Sequence, residues 1–429
     1  MRPRRRARVV KRRFRHFFDR LGPGLITGAA DDDPSGISTY SVAGAAFGYT
    51  LLWTALISFP LMTAVQLMCA RLGMVTGQGL AGVIRARFSK WILWGSCSLL
   101  VTANTVNIGA DLGGMGKVTE MVTGISSLFW VPIYAGLIGS FLIWSSYYTI
   151  AKIFKWLTLF LFAYVLTAFV SKPDWGEILR STLLPRVEMS STFWATLVGI
   201  FGTTISPYLF FWQASQEVEE ERRQGRATIE ERQGATNAEL RKSRNDVVTG
   251  MLFSNLIMYF IILTTAATLH AHGQTTIETA EEAASALLPL AGAGAYWLFS
   301  LGLIGAGMLG VPVLAGSSAY AISEAAQWRE SLGEKPSLAR EFYVVIVAGL
   351  LLGLGLDYAG FNAVSMLFWS AVVNGVLAPP LVVIVILLTG SEKVMGDRRN
   401  SLWLTVLGWI TVVLMTGAGI AMFATWTWI

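Results

Sequence analysis

Apolar runs of around 20 residues follow one another along most of this chain, and that is the length of helix needed to cross a bilayer core. In hydrocarbon every backbone polar group must be satisfied within the chain, so such runs form helices or a closed barrel. Barrel strands would be about ten residues long and alternate in polarity. The runs do neither, which predicts an all-α polytopic membrane protein. Charge agrees, at 14% of residues against about 25% in soluble domains.

Eleven spans are expected, at 24–48, 51–70, 91–121, 128–148, 150–170, 192–216, 247–270, 294–321, 341–356, 362–389 and 402–425. The positive-inside rule tests that count, because Lys and Arg concentrate in cytoplasmic loops. With the N-terminus inside, the inner segments hold 29 of the 33 Lys and Arg; the outer ones hold Lys117, Lys172, Arg180 and Arg186. A miscount by one span would mix the two populations. The expectation is an N-terminus in the cytoplasm and a C-terminus outside, with Trp426 and Trp428 in the outer aromatic belt.

The net charge of +6 is local. Residues 1–20 form a basic cytoplasmic tail with ten Lys and Arg against Asp19, so the remainder is net negative. The tail suits anionic lipid, and no nucleic-acid partner is expected. Segment 217–246 holds eight acids and seven bases without proline and is expected as a charged cytoplasmic loop carrying a charge-paired helix. Cys69 and Cys97 lie inside apolar runs and give neither a disulfide framework nor metal-ligand spacing. His16, His270 and His272 are too few and too scattered for a zinc site. No phosphate loop, dinucleotide fingerprint or nucleophile–base spacing occurs, so no enzyme and no resident cofactor is expected.

Two spans break the rules of a lipid-facing helix. The first contains Ala30-Asp31-Asp32-Asp33-Pro34-Ser35-Gly36. One charged side chain at mid-membrane costs about 2.5–3.5 kcal/mol on insertion scales, and proline removes a backbone donor. Unwound backbone at that depth survives only when buried in protein or lining a cavity. The sixth span repeats the device in Gly202-Thr203-Thr204-Ile205-Ser206-Pro207-Tyr208. Broken spans five apart lie in halves of opposite topology, the pattern of an inverted repeat with its site where the breaks meet. Freed carbonyls and carboxylates there make an oxygen-rich cation site. Asp111, an acid within the third span, is a functional candidate by the same cost argument. Asn104, Asn107, Asn255 and Asn374 are read as hydrogen bonds between helices.

Gly22-Pro23-Gly24-Leu25-Ile26 followed by Asp33-Pro34-Ser35-Gly36 resembles the start of the NRAMP (SLC11) family of divalent-metal transporters. The resemblance continues through Phe47-Gly48-Tyr49, Gln66 with Ala70-Arg71-Leu72-Gly73, Asp111-Leu112 and the Pro207 region, over nearly the whole chain. It implies a LeuT-type five-plus-five inverted repeat plus one helix: repeats at 21–170 and 192–389, with the eleventh helix at 402–425. It also implies a metal site of Asp33, the positions of Gly36 and Ser206, and the carbonyls of Ala30 and Thr203.

The departures point to a branch. Gly36 stands where the family has asparagine, Ser206 where it has methionine, Tyr208 where it has histidine, Gly114 where a glutamate is expected, and Ala371 where glutamine is common. Methionine sulfur favours late transition metals; oxygen ligands suit Mg²⁺, Ca²⁺ and Mn²⁺. Gly36 and Ala371 are expected to widen the site for a cation that keeps several waters. In these losses the chain resembles the NRAMP-related magnesium transporters. The expected function is transport of hard divalent cations, Mg²⁺ and also Mn²⁺, across the bacterial inner membrane by a monomer. Tyrosine is a poor proton carrier near neutral pH and Gly114 carries none, so uncoupled transport is expected. Asp31, Asp32, Asp111 and Tyr208 are the vestibule or proton-linked candidates. Two alternatives stay open: a small organic cation or other solute on the same fold, and a proton-coupled Mn²⁺ symporter.

Overall fold

The computed structural model describes residues 22–144 and 159–426. The basic tail, the segment holding Lys152 and Lys155, and Trp428 lie outside the described residues. Every regular element among the described residues is helical. We number the helices that carry the argument: α1 (Pro23–Asp31), α2 (Pro34–Phe47), α3 (Trp53–Thr76), α4 (Leu80–Arg87), α5 (Lys90–Thr123), α6 (Ser127–Trp144), α7 (Phe162–Val170), α8 (Ser191–Thr204), α9 (Pro207–Arg223), α10 (Asn237–Thr268), α11 (Ala295–Ala326), α12 (Arg340–Asp357), α13 (Ala363–Gly390) and α14 (Leu402–Thr425).

Seven helical stretches among the described residues are long and apolar enough to cross a membrane. They are Trp53–Thr76, Ser127–Trp144, Ser191–Arg223, Asn237–His272, Leu288–Ala326, Ala363–Gly390 and Leu402–Thr425. The predicted spans at 24–48, 91–121 and 341–356 are also helical, as α1 with α2, α5 and α12. Of the span at 150–170 the described part is a short turn and α7.

Proline alone does not break these helices. Pro60, Pro132, Pro312, Pro379 and Pro380 all lie inside continuous ones. The breaks come where proline follows polar residues able to stop one helix and start the next. At Asp32 and Ile205 the backbone leaves helical geometry, and Pro34 and Pro207 then occupy the first position of the following helix. That position needs no N–H and suits the fixed φ of proline.

Small residues let the broken spans pack closely. A β-carbon on Gly28 would collide with the backbone of Gly250, so α1 lies directly against α10. Gly202 meets Ala371 and Gly375 in the same way, bringing α8 against α13. This is the small-residue packing of membrane helices. Helix α5 packs against α11, α12 and α13 and reaches the first break through Asn107. Leu402, Trp403, Val413, Ile420 and Phe423 of α14 are exposed, as a lipid-facing surface requires.

Segment 217–246 is largely helical and charge-paired, through Arg222–Glu219, Arg226–Glu221 and Arg226–Glu239. Residues 217–223 complete α9, and α10 begins at Asn237. Only a four-residue helix, Ile229–Arg232, lies between them. Glu217, Glu219 and Glu221 are buried. Arg232 folds back, its Nε donating to Gly77 O and one Nη to Ala227 O, so it binds the carbonyl end of α3. The helix Trp175–Leu183, capped by Asp174, was not expected; at nine residues it is too short to show as a span.

Candidate functional site

Asp33 sits between α1 and α2 and caps α2. Its Oδ1 accepts from Ser35 Oγ at 2.7 Å and from the Gly36 N–H at 2.8 Å. A side-chain acceptor at the N-cap meets N–H groups that the helix leaves unpaired, so the residue before Pro34 is locally required to be of this type. Its Oδ2 accepts from Asn107 Nδ2 at 2.8 Å and lies 3.4 Å from the Tyr208 hydroxyl. Tyr208, in the first turn of α9, also points its hydroxyl at Ala30 O, 3.3 Å away. The two breaks therefore meet at Asp33, which is 1% exposed.

Around this carboxylate lies a polar network with no cationic side chain in it. Asn107 Nδ2 also lies 3.3 Å from Asp111 Oδ2, one turn along α5. Asn374 Nδ2 on α13 donates to Asn107 Oδ1 at 3.4 Å. Asp111 Oδ1 and Asn374 Oδ1 are buried without a partner. The Tyr40 hydroxyl and Thr203 Oγ1 are 2.8 Å apart and join α2 to α8. Among the described residues no three His, Cys, Asp or Glu side chains converge as a metal-binding group. A cation here would meet the Asp33 carboxylate among neutral oxygens, with the Asp111 carboxylate one amide away.

The remaining candidates fall elsewhere. The carboxylates of Asp31 and Asp32 turn away from Asp33 and converge on Ser254 of α10, whose Oγ is 2.5 Å from Asp31 Oδ2 and 3.1 Å from Asp32 Oδ1. Asp31 ends α1 while Asp32 and the extended Asp33 lie in the break, and the change of backbone direction there separates Asp33 from the other two acids. Ser206 Oγ faces back along its own break, 2.9 Å from Gly202 O and 2.7 Å from Thr203 O. Ser206 and the Thr203 carbonyl thus satisfy each other.

The expected widening is also corrected. A β-carbon on Gly36 would lie 2.7 Å from Thr203 Oγ1, so that hydroxyl fills the space. Ala371 is packed against Gly202.

All four asparagines join helices, as expected, but to different partners. Asn104 is purely a helix linker, its Nδ2 bonding Leu314 O, Ser317 and Ser318 of α11. Asn255 likewise ties Ser58 and Ala55 O of α3 to α10. Asn107 and Asn374 also link helices, and their bonds lead to Asp33. Asn107 lies one helical turn before Asp111, and that i, i+4 spacing was the available signal. His270 and His272 bond backbone carbonyls of Ala45 and Thr268.

Two acids join α1 and α9 to α10. Asp246 of α10 accepts the N–H groups of Gly22 and Gly24 at 3.3 and 2.7 Å. Glu217 accepts from Gln213 Nε2 and Ser243 Oγ, at 3.0 and 2.8 Å, tying α9 to α10. A cavity of about 20 Å³ is lined by Ser38, Ser41, Gly114, Ile277 and Leu367. That is room for about one water, one to two turns beyond Asp33 on α2.

Residues 24–425 match the model of the Nramp family, described as natural resistance-associated macrophage protein-like. The chain belongs to the Nramp family. It is an integral membrane protein of a family of transporters, not enzymes. Curated Nramp relatives include the divalent metal cation transporters MntH of Yersinia pestis and Yersinia pseudotuberculosis, each 28% identical over 407 residues and matched over 92% of both chains. Among solved structures, a manganese transporter of Eremococcus coleocola aligns with a TM-score of 0.72 at 20% identity, covering 95% of this chain and 86% of that one. MhsT, solved with L-phenylalanine, aligns with a TM-score of 0.64 at 12% identity, covering 94% and 98%. These likenesses show that this Nramp member shares its fold with the manganese transporter and with MhsT.

Proposed function

We propose that this Nramp protein carries hard divalent cations, Mg²⁺ and also Mn²⁺, across the bacterial inner membrane without tight proton coupling. The observation that carries the reading is Asp33: one buried carboxylate where both broken helices meet, bonded only to hydroxyl, amide and backbone N–H groups. With Ser206 in the methionine position, the surroundings offer hard donors. Mg²⁺ binds through one or two carboxylates while keeping several waters, and a single carboxylate among neutral oxygens suits that mode. The names of the relatives support a divalent metal as substrate. The reading includes eleven spans in a five-plus-five inverted repeat with one added helix, a cytoplasmic N-terminus, an outer C-terminus and a monomer.

A second reading, proton-coupled Mn²⁺ symport, draws on the relatives' names and on Asp111, which the Asn107 amide links to Asp33. One experiment separates the readings. The chain is reconstituted in liposomes with a cation-sensitive dye and a pH dye, and Mg²⁺, Mn²⁺, Cd²⁺ and organic amines are tested in turn. Mg²⁺ and Mn²⁺ flux without lumen acidification supports the first reading. Acidification that follows Mn²⁺ supports the second. Strong preference for Cd²⁺, or flux of amines alone, overturns the hard-cation site.

A further inference from the structure

We infer that Asn107 and Asn374 set cation specificity as an amide pair, with Asn107 presenting its carbonyl oxygen to a cation on Asp33. The inference rests on the reading of Asp33 as the cation's carboxylate and deepens it.

Asn107 is fully buried and Asn374 is 1% exposed. Asn107 Nδ2 donates to Asp33 Oδ2 at 2.8 Å and thereby occupies one of the directions from which a cation would approach that oxygen. The amino group and a cation exclude each other there, since both seek the same lone pair. An asparagine side chain carries a donor face and an acceptor face of nearly equal shape, and its last torsion is broad and roughly two-fold. A half-turn exchanges the two. Asn107 Oδ1 then faces the cation, and Nδ2 turns toward Asn374.

Asn374 is equipped to receive it. Its Nδ2 now donates to Asn107 Oδ1 at 3.4 Å, while its Oδ1 is buried without a partner. When Asn374 turns as well, that oxygen accepts from Asn107 Nδ2. The bond between the two amides exists in both arrangements, so the exchange leaves the α5–α13 contact in place. Asn104, one turn earlier on α5, shows the contrasting pattern: its three bonds all go to one neighbouring helix. Asn107 instead bonds Asp33, Asp111 and Asn374, on three different elements.

A neutral carbonyl oxygen is a hard donor and favours Mg²⁺ and Mn²⁺ over Cd²⁺. The pair thus supplies the amide oxygen that Gly36 and Ala371 do not.

The test is flux by full-length protein in liposomes, comparing KM for Mg²⁺, Mn²⁺ and Cd²⁺. Asn107→Met replaces the oxygen with sulfur. The expected result is a Mg²⁺ KM raised about 10-fold to 100-fold and a preference moved toward Cd²⁺. Asn107→Ser keeps an oxygen in a smaller side chain and is expected to keep the order Mg²⁺ over Cd²⁺. Asn374→Ala is expected to raise the Mg²⁺ KM while leaving that for Cd²⁺ unchanged. If wild type carries Mg²⁺ and Mn²⁺ but every folded variant keeps the wild-type KM ratios, the amides only hold helices together and the inference is wrong. If wild type moves no divalent cation, the reading of Asp33 falls, and the inference with it.

Discussion

Thr203 Oγ1 stands 2.7 Å from where a β-carbon on Gly36 would lie, and the same hydroxyl is 2.8 Å from the Tyr40 hydroxyl. The two broken spans are thus fitted against each other at a glycine. Gly36→Ala forces the Thr203 hydroxyl aside and is expected to destabilise the protein by about 1–3 kcal/mol, the range for overpacking. In Gly36→Ala/Thr203→Ala the loss should be smaller than the sum of the two single losses, because residues in contact couple by about 0.5–3 kcal/mol. Thermal unfolding of the four proteins in detergent measures the cycle. Strict additivity would mean that the two positions do not compete for space.

Asp33 does two jobs that substitutions can separate. Asparagine still accepts the Ser35 and Gly36 bonds but lacks the charge. Asp33→Asn is therefore expected to keep the cap of α2 and to lose the thermal stabilisation given by millimolar Mg²⁺ or Mn²⁺. A ligand must stabilise the state it binds. Asp33→Ala should lose both, with about 0.5–2 kcal/mol for the missing cap. Cation-dependent stabilisation surviving in Asp33→Asn would move the binding site elsewhere.

Asp246 holds the first turn of α1 through the Gly22 and Gly24 N–H groups. Asp246→Ala leaves both without that acceptor. Amide hydrogen exchange of residues 22–28 should speed up by about tenfold or more, corresponding to the loss of roughly 1.5 kcal/mol of a charged hydrogen bond. Exchange in α14, remote from this contact, is expected to stay unchanged. Equal acceleration in both helices would indicate global destabilisation rather than release of one end.

Asp111 is the acid that a proton-coupled reading would use. Uncoupled transport predicts that Mg²⁺-driven flux raises no proton signal in wild type and that Asp111→Asn retains cation selectivity. Lumen acidification in wild type that disappears in Asp111→Asn would establish coupling through this residue.

Two features of the molecule are plain in its sequence. Three acids and a proline in an apolar run can only be tolerated in a protein-lined break, and Asp33 could be chosen among them because it adjoins Pro34. The segregation of Lys and Arg gave the orientation of the chain as an expectation by the same kind of local physics. The destinations of Asp31 and Asp32 were not legible, since the direction of each depends on Ser254 more than 220 positions away. Nor was the fate of the Ser206 hydroxyl, which satisfies the carbonyls of its own break.

The sequence by itself determined that this chain is helical and membrane-embedded, where its helices break, and that one break concentrates acids. Hydrocarbon imposes those results on each segment separately. Only the tertiary structure decided which polar groups surround Asp33, because a buried donor or acceptor takes whatever partner the packing of several helices brings within reach. Asn104 and Asn107 have the same side chain, three positions apart on one helix. The first bonds α11 and the second bonds Asp33, and that difference exists only once α2, α5, α11 and α13 are packed together.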